Sequence, residues 1–197
     1  MNFNEAIVID LETTGLVSSV SEIIEIGMLH IRFNEDYSYE VLSKFHSLIQ
    51  PMKKGLINPK AMKKNGIQKD ELFKARLPQE IRGDLFEWWE DCLGGQVCDI
   101  IGHNFQGFDK SFLQLFLGEA YAKMFDYHAE DTWAFARGLQ RIGLIPIDTN
   151  LSLEPLSEYL GIPIKAHRAL DDCYATINVY TALLNLANGK SIPSMEE

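Results

Sequence analysis

The sequence predicts an α/β protein of three layers, and three observations carry that prediction. A continuous apolar run, Ile7-Val8-Ile9, opens a strand that closes on acids. Two more strand-like stretches follow at short links. Helical segments then alternate with a short strand. Strands joined by short links favour an antiparallel meander, and helices interleaved with later strands cover the sheet.

Ile7-Val8-Ile9-Asp10-Leu11-Glu12 reads as a buried strand, broken by Thr13-Thr14-Gly15. Residues 23–33 read as a second strand, with Ile24, Ile26, Met28 and Leu29 apolar and Gly27 permitting close packing. Residues 39–48 read as a third, leading to a turn at Pro51. Residues 85–93 read as a helix whose Trp88 and Trp89 suit either the core or an interface. Residues 99–102 form a short strand. Residues 109–125 read as one helix, with Phe112, Leu113, Leu115, Phe116 and Leu117 apolar. Residues 152–160 read as a short helix with Ser152 as N-cap and Gly161 beyond its end. The last helix, residues 169–186, carries an apolar face of Leu170, Cys173, Ile177, Tyr180 and Leu184, spaced by three and four. Residues 1–187 are expected to form one domain, and residues 188–197 a flexible, frayed tail.

No apolar run approaches the roughly 20 residues that cross a bilayer. The N-terminal stretch has no basic region and no signal-peptide core, so the expectation is a cytoplasmic protein with no membrane partner. Cys92, Cys98 and Cys173 are odd in number and lack metal-type spacing, which fits reduced thiols. A net charge of −10 argues against tight binding to a polyanion. Two features soften that objection. Clustered carboxylates add charge that bound cations would offset. The stretch from Lys53 to Arg76 is locally positive, with Lys53, Lys54, Lys60, Lys63, Lys64, Lys69, Lys74 and Arg76 against Asp70 and Glu71. It is either a solvated helix–loop face or a guide for phosphates.

Asp10 and Glu12 stand at i and i+2 on the first strand and so share a face, while Leu11 points the other way. Two carboxylates side by side on so apolar a strand need a cation, a proton or solvent. A solvent-exposed strand end satisfies that need, and so does a hard divalent ion. The turn Thr13-Thr14-Gly15-Leu16 offers main-chain N–H groups and hydroxyls to a nucleotide. Asp109 stands at a helix start, where capping alone explains a carboxylate. His167 precedes the last helix and Asp172 lies in its first turns. A histidine there is either merely solvated or placed to take a proton from water at neutral pH. The three segments together favour the chemical reading over the structural one.

These residues resemble the DEDDh exonucleases, a group that includes the proofreading epsilon subunit of bacterial DNA polymerase III, ribonuclease T and oligoribonuclease. The similar motifs are Asp10-Leu11-Glu12-Thr13-Thr14-Gly15, then Gly102-His103-Asn104 with Phe108-Asp109, then His167 to Asp172. Asp131-Thr132, Leu153, Leu156 and Leu160-Gly161-Ile162 resemble the stretch before the third motif. The likeness runs from about Ala6 to Leu186. One departure is the four residues between Asn104 and Asp109, where the commoner form has three. Spacing from His167 favours Asp172 over its neighbour Asp171.

The resemblance implies a ribonuclease H-like fold with a central mixed five-stranded sheet flanked by helices. It implies two divalent ions, Mg²⁺ or Mn²⁺, held by Asp10, Glu12, Asp109 and Asp172, with His167 as general base. The implied activity is 3′–5′ exonuclease release of nucleoside 5′-monophosphates from single-stranded 3′ ends, with DNA slightly preferred over RNA. Thr13, Thr14, Gly15, Leu16, Asn104 and Phe105 are the expected substrate contacts. Phe105 and Phe108 are candidates to stack on bases, with core packing the expected fate of Phe108. A polymerase or a second copy of the chain is a candidate partner. The alternative function is a catalytically weak nucleic-acid- or polymerase-binding module on the same fold.

Overall fold

A computed structural model describes residues 4–53, 57–164 and 167–190. Its centre is one five-stranded mixed sheet of order β3-β2-β1-β4-β5, as the resemblance implied. The strands are β1 Glu5–Thr13, β2 Ile23–Phe33, β3 Tyr39–Leu48, β4 Cys98–Gly102 and β5 Phe125–Asp131. β1 pairs antiparallel with β2, and β2 with β3, which is the expected meander. β4 and β5 add in parallel beyond β1. β1 and β4 therefore finish at the same edge of the sheet, where open α/β sheets bind their ligands.

The helices are α1 Pro59–Asn65, α2 Lys69–Lys74, α3 Pro78–Leu93, α4 Asp109–Leu117, α5 Tyr121–Met124, α6 Thr132–Arg141, α7 Leu153–Tyr159 and α8 Ala169–Ala187. Alternation along β1 divides the core. Ile7, Ile9 and Leu11 face Ile81, Leu85 and Trp89 of α3 and Phe112 and Leu113 of α4. Ala6 and Val8, on the opposite face, meet Cys173 and Ile177 of α8. α6 and α7 then pack on the outer side of α8 through Ala136, Leu139, Leu156, Val179 and Leu183. That arrangement makes three layers, each helix layer burying one stripe against the sheet or against a neighbouring helix.

Several sequence expectations change. The single helix over residues 109–125 breaks at Gly118, whose φ of 59° ends α4. A 3-10 turn and the one-turn α5 follow, and Phe125 opens β5. The helix over residues 85–93 begins earlier, at Pro78, a residue suited to a first helical position. Ser152 does sit at the N-cap of α7, yet its hydroxyl makes no capping bond. Asp109 is not an N-cap either; that position is Phe108. The tryptophan pair belongs to the core: Trp89 is buried, and Trp88 donates Nε1–H to Ser43 Oγ at 2.6 Å while packing on Phe45. All three cysteines are free. Among the described residues no helix is long and apolar enough to cross a membrane. Lys54 and residues 191–197 lie outside the described residues.

Candidate active site

Four chain segments meet at the shared edge of β1 and β4. β1 brings Asp10 and Glu12, its alternation turning both toward the α8 side with Ala6 and Val8. The β4–α4 loop brings Asp109, buried at the first turn of α4. The segment before α8 brings His167, and the first turn of that helix brings Asp172. They line one open cleft of about 780 Å³, together with Leu11, Thr13, Leu16, Lys64, His103, Asn104, Phe108 and Trp133. Ligand atoms of Glu12, His167 and Asp172 all lie within 4.8 Å of one another. Asp171, the rejected neighbour of Asp172, is exposed to solvent.

Burial raises the proton affinity of all four acids, and neighbouring carboxylates add to it. Burial pushes the Asp10 carboxyl well above the usual range, and Asp109, Asp172 and Glu12 push it further. Burial and the Asp172 charge carry Glu12 up to about 7. Burial lifts Asp109 to about 8 even though its carboxylate accepts its own N–H and that of Leu11. Asp172 rises to about 6, again through burial, with the His167 N–H opposing. The positive charge of Lys64, in the last turn of α1, opposes the rise at Asp10, Glu12 and Asp172. A cluster that resists ionisation in this way is suited to a hard divalent cation, whose charge would repay what burial withholds.

The surrounding loops are held by side chains that reach across the sheet edge. The Asp131 carboxylate accepts N–H groups of Asn104 at 3.0 Å and Gln106 at 3.3 Å on the β4–α4 loop. It also caps α6 through the N–H groups of Trp133 and Ala134. Thr132 donates its hydroxyl to the Gly102 carbonyl and lies 2.7 Å from His103 Nδ1. Burial depresses the His103 imidazole to about 4, so it stays neutral near pH 7.

The expected substrate contacts divide. Leu16 is 80% exposed and lines the cleft, as do Thr13 and Asn104. The Thr13 hydroxyl, however, donates to the Gly15 carbonyl, and the Thr14 hydroxyl accepts the Glu22 N–H, so both shape the turn. Thr14 and Gly15 are buried and do not line the cleft. Phe105 is a correction: it is fully buried in the sheet–α3–α4 core and has no face for a base. Phe108, the expected core residue, packs partly on that core beside Phe112 and is partly exposed in the cleft wall. Sequence reasoning missed Trp133, which is 41% exposed in that wall. It follows directly on Asp131-Thr132, and that position was the available signal.

The protein is of the α/β class, a mixed sheet with an acid-lined cleft at the carboxyl ends of its strands, an arrangement suited to a cation beside a ligand. Residues 7–180 match the family model described as the RNase_T exonuclease, so the chain belongs to that exonuclease family, within the DEDDh group. The chain is 30% identical over 192 residues to a PolC-type DNA polymerase III of Thermotoga maritima, covering 97% of itself and 13% of that protein. It is 27% identical to a ribonuclease T of Actinobacillus pleuropneumoniae, covering 91% of itself and 83% of that protein. Its fold is similar to that of E. coli exonuclease I in complex with a dT13 oligonucleotide. There the TM-score is 0.76 at 18% identity, over 94% of this chain and 42% of that one.

Proposed function

We propose that this chain is a divalent-metal-dependent 3′–5′ exonuclease that releases nucleoside 5′-monophosphates from single-stranded nucleic acid. The observation that carries the reading is the convergence of Asp10, Glu12, Asp109, Asp172 and His167 in one open cleft. Carboxylate oxygens whose ionisation is suppressed by burial are the donor set that Mg²⁺ or Mn²⁺ takes, and the four acids would hold two such ions. Bound there, the ions would supply Lewis acidity toward water and toward the leaving oxygen. His167, beside Glu12 and Asp172, takes the proton of the attacking water. Lys64 offers a positive charge to a phosphate that approaches the acids. Leu16, Phe108 and Trp133 give a terminal nucleotide apolar walls, and a nucleotide must leave a duplex to reach them.

The oligonucleotide held by the E. coli structural neighbour supports a single strand of DNA as first choice, while the ribonuclease T relative keeps RNA within the same reading. The polymerase relative makes a polymerase the first partner to test. Three free thiols suit a cytoplasmic setting. The test is digestion of matched 5′-labelled DNA and RNA strands in Mn²⁺, with 3′-blocked and EDTA controls. A ladder shortening from the free 3′ end, absent in EDTA, is the expected result. A ladder that stays intact with both strands would sink the reading.

A further inference from the structure

Glu25 is a fully buried carboxylate that the proposed chemistry does not use. It stands on β2 directly opposite Glu12 of β1 in the antiparallel register. Like charges directly opposite across strands are destabilising, and here Asp10, Asp109 and Asp172 add three further acids to the same cleft as Glu12. Its burial is tolerated because it is saturated with donors from two other elements. Oε1 accepts His46 Nε2 of β3 at 2.7 Å and Arg168 Nε at 2.8 Å, and Oε2 accepts the Ala169 N–H at 3.2 Å. The Arg168 guanidinium also pairs with Oε1 through its NH2 group at 2.8 Å.

The second half of this dock is Gly27, two residues along the same face of β2. A Cβ at Gly27 would lie 2.5–2.7 Å from the main chain of Ala169 and Leu170. Cys173 Sγ adds a contact to the Gly27 carbonyl at 3.2 Å. The first turn of α8 therefore rests directly on β2, held end-on by Glu25. His167 is the residue immediately before Arg168. Its φ is 75°, in the left-handed region that a non-glycine residue keeps only when its surroundings enforce it. From there its ring reaches Glu12 and Asp172, and its N–H reaches the Asp172 carboxylate.

We propose that Glu25 is a positioning residue: through Arg168 and the Ala169 N–H it fixes the start of α8 so that His167 faces the acids. The proposal rests on the reading of His167 as the base that accepts a proton from water. Arg168 is the hinge pin between the two. Its side chain is 40% exposed, so it can be altered without opening the core.

The test uses the full chain carrying Glu25→Gln, Arg168→Gln, His167→Ala and each double variant with His167→Ala. Misplacing the base by an ångström is expected to lower kcat on the order of 100-fold, with KM and Mn²⁺ affinity held within about twofold. Added to His167→Ala, either substitution should remove nothing more, because both act through one side chain. The ring resonance of His167 in the metal-free protein should move to its random-coil position while the amide signals of the sheet core stay in place. Unchanged kcat in both single variants, or losses that multiply in the doubles, would overturn the proposal. If His167→Ala digests as fast as the parent, the base reading falls alone. The ring resonance then decides the positioning, upheld by a shift and overturned by an unmoved signal.

Discussion

Glu25 on β2 lies opposite Glu12, one of four acids gathered at the end of β1, and the titration of Glu25 runs in the opposite direction to theirs. Burial raises the proton affinity of Glu25, but the His46, Arg168 and Ala169 donors more than offset it, leaving the carboxyl below its usual range. One strand away, burial and mutual repulsion leave Asp10, Glu12, Asp109 and Asp172 all raised. Burial alone thus does not say what a buried acid is for. The charged groups around it do: the acid held by His46 and Arg168 ties elements together, and the four whose charge is left largely uncompensated are suited to a cation.

The comparison can be broken most sharply at His167. His167→Ala should lower single-turnover digestion by about 10²–10⁴-fold, the usual worth of a general base, while calorimetry finds Mn²⁺ affinity nearly intact. Loss of Mn²⁺ binding in that variant would move His167 from the base to the ligand set. Next in size, Asp10→Ala should weaken Mn²⁺ by at least about tenfold, or about 1.4 kcal/mol. Calorimetry showing an unaltered affinity would remove Asp10 from the cation site.

The smallest effects are on stability, and they should have opposite signs on the two strands. In EDTA at pH 8, Asp10→Asn should raise Tm by relieving like charges, and Glu25→Gln should lower it. Each change is expected to be roughly 1–2 kcal/mol, or about 2–8 °C for a domain this size. A carboxyl raised in the fold keeps its proton there more tightly than in the unfolded chain. Below about pH 4 both states are protonated and these groups cost nothing. As pH climbs through the titrations near 6, 7 and 8 of Asp172, Glu12 and Asp109, the metal-free fold should lose stability. Thermal melts from pH 5 to pH 8, with and without Mn²⁺, check this. A metal-free Tm that rises over that window would contradict the shifts.

Much of this was legible in the sequence, and the reason differs by element. β2 and β3 begin and end where the apolar pattern placed them, and the acid pair of β1 follows from strand alternation. β5 was not visible because Phe125–Asp131 is an edge strand with only Phe125 fully buried and no apolar alternation to reveal it. α6 was missed as well; its burial is limited to Thr132, Ala136, Leu139 and Gln140. The reading of residues 109–125 as one helix rested on apolar residues from Phe112 to Leu117, all of them before the break at Gly118. Phe105 and Phe108 are alike in residue type, which does not say which ring the core takes: Phe105 is fully buried and Phe108 packs there only in part. Glu25 carried no signal at all. An acid in an apolar strand is ambiguous until the chain brings Arg168 and His46 to it.

The seating of α8 on β2 has a consequence in time. Asp10 and Glu12 come early in the sequence, whereas His167 and Asp172 lie at and beside the helix that docks on Glu25 and Gly27. Contacts between such distant segments close late, because the loop entropy must be met before they form. A chain with its sheet assembled but α8 undocked would hold three of its four acids and lack both Asp172 and His167. On the proposed function, cutting ability should therefore arrive late in folding, and a half-made molecule would be harmless to the strands around it.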